Sequence, residues 1–398
     1  MTITPLPTRP TPSPSTHRRR VLFINHTAVL GGGELSLLDL ATAYRDTSQV
    51  LLFNHGPFEE RLKDAGVSVV VKAASAETLG AKASGGMSAL KALPGLWQMA
   101  QWIKQAAQGF EVVHANSQKA FVAGAITHFL GGPPVVWHLR DILTADHFSP
   151  INRRLAVTLA NSQASRVIVN SQATGAAFVE AGGNPELVSV VYNGISAAPF
   201  ESIQSTARTT LRTELNLTDD TPLVGLFSRL SYWKGQHVLL EALRHQPTVH
   251  ALLVGDALFG EDAYVEQIKT LANQPELQGR VHWLGFRSDI PQLMSACDIV
   301  AHTSTAPEPF GRVIVEGQLA QRPVIAAADG GAVELIEDGE TGRLVPPGDA
   351  AALAQTIQEL LTQPERAEAI AQQGYHHAKT SFSLESLLCQ FDHALQTV

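Results

Sequence analysis

Two cations and two carboxylates carry the chemistry in this chain. Arg229 and Lys234 stand five positions apart after the apolar run PLVGLF, and Lys234-Gly235 opens a helical pattern with Val238, Leu239, Leu240, Ala242 and Leu243 behind it. Two cations on one strand–helix loop form a compact clamp suited to a diphosphate, and each charge-assisted hydrogen bond is worth about 1.5–3 kcal/mol. A solvated basic turn is the alternative. Further on, APEPFGRVIVEGQLAQRPVIAAADGGAVE (306–334) sets Glu308 and Glu316 around a Pro-Phe-Gly turn. In a chain with 22 glutamates in 398 residues such a spacing arises by chance, so the arrangement around it has to carry the meaning. Pro309 favours an extended Glu308 and can pre-set a helical start. Glu308 is therefore expected on the loop and Glu316 about one and a half turns into the helix. The helix start at Phe310 and Gly311 offers unpaired N–H groups to phosphate or sugar oxygens. RPVIAA (Arg322 to Ala327) reads as a short buried strand, and Gly330-Gly331 as a tight loop opening a helix at Glu334.

The elements that must position these groups follow a strand–helix alternation, which predicts parallel sheets. VLFINHT (Val21 to Thr27) runs into a glycine turn, Gly31–Gly33, and an amphipathic helix. That is a phosphate-approach loop at a Rossmann-like start. It lacks GxGxxG, which disfavours a dehydrogenase. Glu34 reads either as an acid complementing its helix dipole or as a cleft residue. Strands follow in VLLFNH, VSVVVK, EVVHANS, PPVVWHLRD, RVIVNS and VSVVYNGI, with a helix over Arg153–Ser162. PPVVWHLRD ends in His138, Arg140 and Asp141, and strand ends of a doubly wound sheet are where ligands bind. A polar helical stretch, 197–220, carries a hinge near Ala197. A second set follows in PLVGLFSRL, HALLVGDAL, VHWLGF and DIVAHTS. Ser288 caps a helix through Ala296, and helices close the chain over 349–362, 364–380 and 383–396. The expected fold class is α/β, with two Rossmann-like doubly wound domains facing across a cleft. The expected organisation is a disordered tail (1–20), an N-terminal acceptor domain (21–196), a C-terminal donor domain (197–380) and a last helix (381–398) packing back on the N-terminal domain.

Composition narrows the function classes. The length allows about two to three domains, and 44% hydrophobic against 17% charged residues suits a soluble chain with sizeable cores. Residues 1–200 hold 16 Lys and Arg against 12 Asp and Glu, and residues 201–398 hold 13 against 25. Four of the N-terminal positive charges, Arg9, Arg18, Arg19 and Arg20, sit in the leading tail, so no concentrated basic face remains for nucleic acid. Cys297 and Cys389 stand alone, which disfavours a disulfide framework or a zinc site and fits a reducing, cytoplasmic compartment. Residues 1–20 have no apolar h-region and read as a disordered tail. Arg18–Arg20 are either solvated or touch anionic lipid. The helix over 87–107, with Trp97 and Trp102, either packs on the sheet or makes peripheral contact with a membrane surface. No run of 18 apolar residues appears, so no membrane-spanning segment is expected.

Taken together, Gly31–Gly33, Arg229, Lys234 and the strand–Glu308–Pro-Phe-Gly–Glu316–strand–Gly-Gly–Glu arrangement resemble the retaining glycosyltransferases of family 4, which have the GT-B fold. The resemblance covers nearly everything from about Val21 onward. It implies a nucleotide-diphosphate sugar donor, UDP- or GDP-linked, a glycan, lipid-linked or small-molecule acceptor, and no cofactor or metal. It assigns Arg229 and Lys234 to the diphosphate, with Phe310, Gly311, Arg312 and Val313 in the same donor site. Glu308 would take donor-sugar hydroxyls, Glu316 the ribose, and the loop after Gly285 the base. Gly32 and Gly33 would let the backbone approach the donor, with Glu34 facing the cleft. His138 matches a histidine near the reacting carbon. Arg140 and Asp141 are acceptor-specific or a structural ion pair. The chain departs from the family at Ser196 (usually Asp), Asn116 (often His), Gln318 (Met or similar) and Gln321 (Gly). A sugar-nucleotide epimerase and a catalytically silent nucleotide-sugar-binding protein are the competing readings.

Overall fold

Runs of consecutive apolar residues mark strands buried on both faces, and two sets of them build two parallel sheets. The computed structural model describes residues 18–75, 87–143, 149–203, 206–257 and 260–398. Most of the leading tail and of the small-residue loop after Lys72 lie outside the described residues. The first sheet holds β1 (Val21–Asn25), β2 (Ser48–Leu52), β3 (Val69–Val71), β4 (Val112–Ala115), β5 (Val135–Leu139), β6 (Ala164–Val169) and β7 (Val188–Val190), in the order β3-β2-β1-β4-β5-β6-β7. The second holds β8 (Leu223–Phe227), β9 (His250–Val254), β10 (Val281–Gly285), β11 (Ile299–His302), β12 (Val324–Ala327) and β13 (Arg343–Val345), in the order β10-β9-β8-β11-β12-β13. Both sheets reverse their winding beside the first strand, between β1 and β4 and between β8 and β11. Ligands bind at such switch points.

Alternation along each strand splits the side chains between two cores. Leu22 and Ile24 of β1 pack with Met99, Ile103, Phe121 and Trp137, whereas Val21 and Phe23 pack with Leu37, Leu40 and Tyr44. The second of these cores is completed from the far end of the chain. Helix Leu384–Gln396 contributes Leu387, Phe391, Ala394 and Leu395 to it. Phe391 stacks on Phe23 at 6.3 Å and meets Tyr44 edge-on at 5.5 Å, and the Tyr44 hydroxyl donates to Asp392. Helix Pro364–Ser381 still places Ala378 in the second domain's core, so the chain crosses between domains within a few residues of Phe382.

Two local expectations need correction. The helix expected to open at Glu334 is a single 3-10 turn, Gly331–Glu334. Its backbone is held to the Glu308 loop, and Leu335 buries itself before the turn that leads into β13. Ser288 does not cap the next helix, which runs Ile290–Ala296 after Asp289. Asp289 is not a side-chain cap either, because Arg287 takes both its oxygens, at 2.8 and 2.6 Å. The stretch 197–220 is helical as expected: its described residues form the short helices Ala198–Glu201 and Ala207–Glu214, and the second buries Arg212 against Asp298 at 2.9 Å.

Candidate active site

The loop after β8 is fixed by what it presses against. Gly235 has φ +71, and a Cβ there would lie 1.9 Å from the Thr303 carbonyl oxygen, so only glycine fits this left-handed close approach. Thr303 Oγ1 donates to the carbonyl oxygens of Lys234 and Gly235, both at 2.9 Å. The lysine loop is thereby seated on the end of β11. Lys234 Nζ then lies 2.6 Å from Glu308 Oε2 and 4.0 Å from the centre of the Trp233 ring. The same Glu308 oxygen receives Ser304 Oγ at 3.1 Å and faces His302 Nε2 at 3.2 Å. Burial pushes the Glu308 carboxyl up, but Lys234 and His302 outweigh it and hold it far below the usual range. Glu308 is therefore an ionised acceptor. Arg229 is exposed at the head of the same loop.

Helix Arg312–Leu319 starts at Gly311, φ +98, without a side-chain cap, and Phe310 is buried just before it. Val313 packs at the edge of the core beneath. Arg312 Nε lies 3.4 Å from Glu316 Oε1, and its Nη1 crosses to helix Gly32–Ala43 of the other domain, 3.2 Å from Ser36 Oγ and 3.6 Å from Asp39. Asp39 is pushed up to about 6 by burial, with Arg312 opposing the shift. Gly285 ends β10 at φ +60, its carbonyl accepting from Gly255 N at 2.8 Å. Asp256 accepts from the Phe286 amide at 3.1 Å, which leaves the Phe286 ring 72% exposed. Gly285 is thus apart from the Lys234–Glu308 pair, on the edge strand.

Across the cleft the centre is Arg140. It donates through Nε to Asn116 Oδ1 at 2.6 Å and through Nη1 to Asn193 Oδ1 at 2.9 Å. Asn116 in turn donates to Asn25 Oδ1 (3.3 Å) and to the Gly33 carbonyl (3.2 Å). Asn25 donates to Glu34 Oε1 at 3.0 Å, and burial raises the Glu34 carboxyl above its ordinary value. A Cβ on Gly33 would meet Arg140 Cδ at 3.1 Å, and one on Gly32 would meet Arg312 Cδ at 3.6 Å, so both glycines face arginines. Asp141 is exposed beside this network.

His138 is not at the cleft surface. Its side chain is fully buried with Nδ1 3.0 Å from His114 Nε2, and His114 packs edge-on to Phe391. Strand alternation turns it towards the face that helix Leu384–Gln396 covers, and burial with Arg140 nearby depresses its pKa well below the ordinary value. Arg140, just past the strand, is the group that reaches the strand ends.

Several residues here escaped the sequence reading. His302 and Ser304 flank Thr303 in DIVAHTS, and the loop after that strand could have pointed to them. Asn25, Asn116 and Asn193 each follow or end a strand, but only the sheet order brings them together. The Asp39–Arg312 contact had no sequence signal. Gln318 is structural, its Nε2 donating to the carbonyls of Leu335 and Thr341 at 3.1 Å each. Gln321 adopts φ +55, a position where glycine is favoured. Among the described residues, no three His, Cys, Asp or Glu side chains group as a metal site.

Residues 207–377 match the model of the glycosyl transferases group 1, and residues 31–194 that of a glycosyl transferase 4-like domain. Anabaena Alr3699/HepE, solved in complex with UDP and glucose, is 42% identical over 96% of this chain and 100% of that chain, with a TM-score of 0.87. The chain belongs to the group 1 glycosyltransferases. Its two facing sheets are the GT-B architecture. The lipopolysaccharide core biosynthesis glycosyltransferase LpsE of Rhizobium meliloti (strain 1021) is 30% identical over 176 residues, 44% of this chain and 50% of that protein. The D-inositol 3-phosphate glycosyltransferase of Mycobacterium sp. (strain KMS) is 29% identical over 265 residues, 64% of this chain and 59% of that protein. The chain therefore spans about half the length of the curated relatives it matches.

Proposed function

We propose that this group 1 glycosyltransferase moves a hexosyl group from a UDP-sugar to a glycan or lipid-linked acceptor, with retention at the anomeric carbon and without a metal ion. The observation that carries the reading is the Lys234–Glu308 pair, 2.6 Å apart, beside Arg229 and the uncapped helix start at Gly311. HepE, 42% identical, has been solved with UDP-glucose, which favours UDP over GDP as the donor nucleotide.

In this reading the two faces of the pair divide the donor. Lys234, Arg229 and the N–H groups at Gly311 stabilise the negative charge that grows on the leaving diphosphate, where preorganised donors act most strongly. Glu308, ionised and acceptor-only, takes hydroxyl donors of the sugar. Glu316 takes ribose hydroxyls and must share them with Arg312. A bond forms between the acceptor oxygen and the anomeric carbon as the bond from that carbon to the phosphate oxygen breaks. The electron pair goes to the diphosphate, which also takes the acceptor's proton. In this reading Glu308 serves as a hydroxyl acceptor and is not assigned as a nucleophile. The Arg140–asparagine network forms the acceptor side, and residues 21–196 and 197–380 are the acceptor and donor domains. The name of LpsE supports a lipid-linked or glycan acceptor. Leu93 and Trp97, both more than half exposed on one helix, support peripheral contact with a membrane at the cytoplasmic face. No described helix is long and apolar enough to cross a membrane.

UDP release from UDP-glucose, followed with EDTA present, tests this. The wild type should turn over, and Lys234→Ala and Arg229→Ala should each lose at least an order of magnitude. Turnover that requires added divalent metal, or near-wild-type rates in both variants, would overturn it.

A further inference from the structure

Glu334 sits outside the donor site, yet it joins the two domains next to it. Its Oε1 accepts from the Ala173 amide at 2.9 Å, and its Oε2 from the Gln172 amide at 2.8 Å and the Tyr192 hydroxyl at 2.9 Å. All three donors belong to the N-terminal domain. A carboxylate bonded to the first two amides of helix Gln172–Glu180 meets both the unpaired N–H groups and the positive end of the helix dipole. The third amide is taken by Ser171 Oγ at 3.0 Å, which completes the cap.

The other side of the Glu334 turn is locked to the donor loop. Gly331 N donates to the Glu308 carbonyl at 2.6 Å, and Gly330 forms a parallel bridge with Glu308. A Cβ on Gly330, which has φ +60, would lie 2.4 Å from the Glu308 carbonyl oxygen, and one on Gly331 would lie 2.6 Å from that of Pro309. The turn and the loop are thus packed backbone against backbone. Thr174 Oγ1, at the same helix start, lies 3.4 Å from the Pro309 carbonyl oxygen. The Tyr192 ring lies 6.4 Å from that of Phe310.

We infer that Glu334 is a positioning residue: it fixes the Glu308 loop relative to the acceptor domain, so that the donor sugar meets the acceptor side in register. This rests on the donor-site reading above. Glu334 touches neither donor nor acceptor and acts through the backbone of Glu308. Its loss should leave nucleotide binding intact, because Lys234, Arg229 and Glu316 lie within one domain, while transfer suffers.

The test uses the 398-residue chain, with UDP binding by calorimetry and UDP release from UDP-glucose, water serving as acceptor. Glu334→Ala should lower kcat at least tenfold while the Kd for UDP stays within about twofold. Glu334→Gln, isosteric but unable to accept from both amides through its NH2 end, should fall between the two. Tyr192→Phe should cost a few-fold, and adding it to Glu334→Ala should cost nothing more, since the shared contact is already gone. An active wild type whose Glu334→Ala variant keeps its kcat overturns this role alone. So does a variant whose UDP affinity, melting temperature and kcat all decline together, which would mark a purely structural contact. A wild type that neither binds UDP nor releases it from UDP-glucose removes the donor reading, and this role with it.

Discussion

The two walls of the cleft are built in different ways. On the wall proposed to hold the donor, charge is concentrated in two short segments, 229–235 and 302–316, and the ions are matched in direct pairs: Lys234 with Glu308, Arg312 with Glu316. On the wall proposed for the acceptor one arginine is held by amide side chains from three separate places, Asn25 through Asn116, Asn116 itself and Asn193. The first arrangement leaves charges ready to be re-partnered by a charged ligand. The second holds a charge in fixed geometry with neutral partners, which suits recognition of hydroxyl-rich acceptors more than neutralisation of a diphosphate.

This contrast can be broken most sharply at Lys234. Lys234→Ala should lower kcat/KM by about 100- to 1000-fold, as expected when a charge-stabilising donor is lost. It also leaves Glu308 buried without its cation, a change that costs about 3–5 kcal/mol of stability in such pairs. Adding Glu308→Gln should restore much of that stability and none of the activity, which thermal melts and UDP release would separate. Arg140→Ala should act on the other wall only. We expect acceptor-dependent turnover to drop at least tenfold with UDP affinity unchanged, and a parallel loss of UDP affinity would erase the distinction between the walls.

Asp39 spans the two, and its prediction concerns pH. Its folded pKa, raised to about 6 by burial, lies above the unfolded value. The folded state therefore holds the proton more tightly, so this stabilising contribution is full below an unfolded pKa near 4 and is lost as pH rises through about 6. Asp39→Asn should flatten the dependence of melting temperature on pH across that window; an unchanged slope contradicts the assignment. The smallest effect is expected at Gln321, whose φ of +55 favours glycine. Gln321→Gly should raise stability by about 0.5–1 kcal/mol and leave both walls working.

The same contrast explains what could be read from the sequence. The strands were legible because doubly buried segments such as VLFIN and LVGLF are continuous apolar runs. The proposed donor loops could be picked out because Arg229 and Lys234 fall in one short segment and Glu308 and Glu316 in another. The acceptor wall was not, since Asn25, Asn116 and Asn193 gather only through the order of the sheet. The burial of His138 was not legible because its direction depends on strand parity and on which face the last helix covers, and the helix is not written in PPVVWHLRD. Glu334 looked like the start of a helix because nothing local announces that its carboxylate reaches another domain.

In the proposed function Lys234 and its neighbours form a UDP-sugar diphosphate clamp. Calorimetric titration of the wild type and Lys234→Ala with UDP, GDP and ADP in the presence of EDTA tests it most directly. The wild type should bind UDP in preference to the other two, and the substitution should weaken that binding at least tenfold. Equal binding of UDP to both proteins, or no binding of any nucleotide to the wild type, would contradict it.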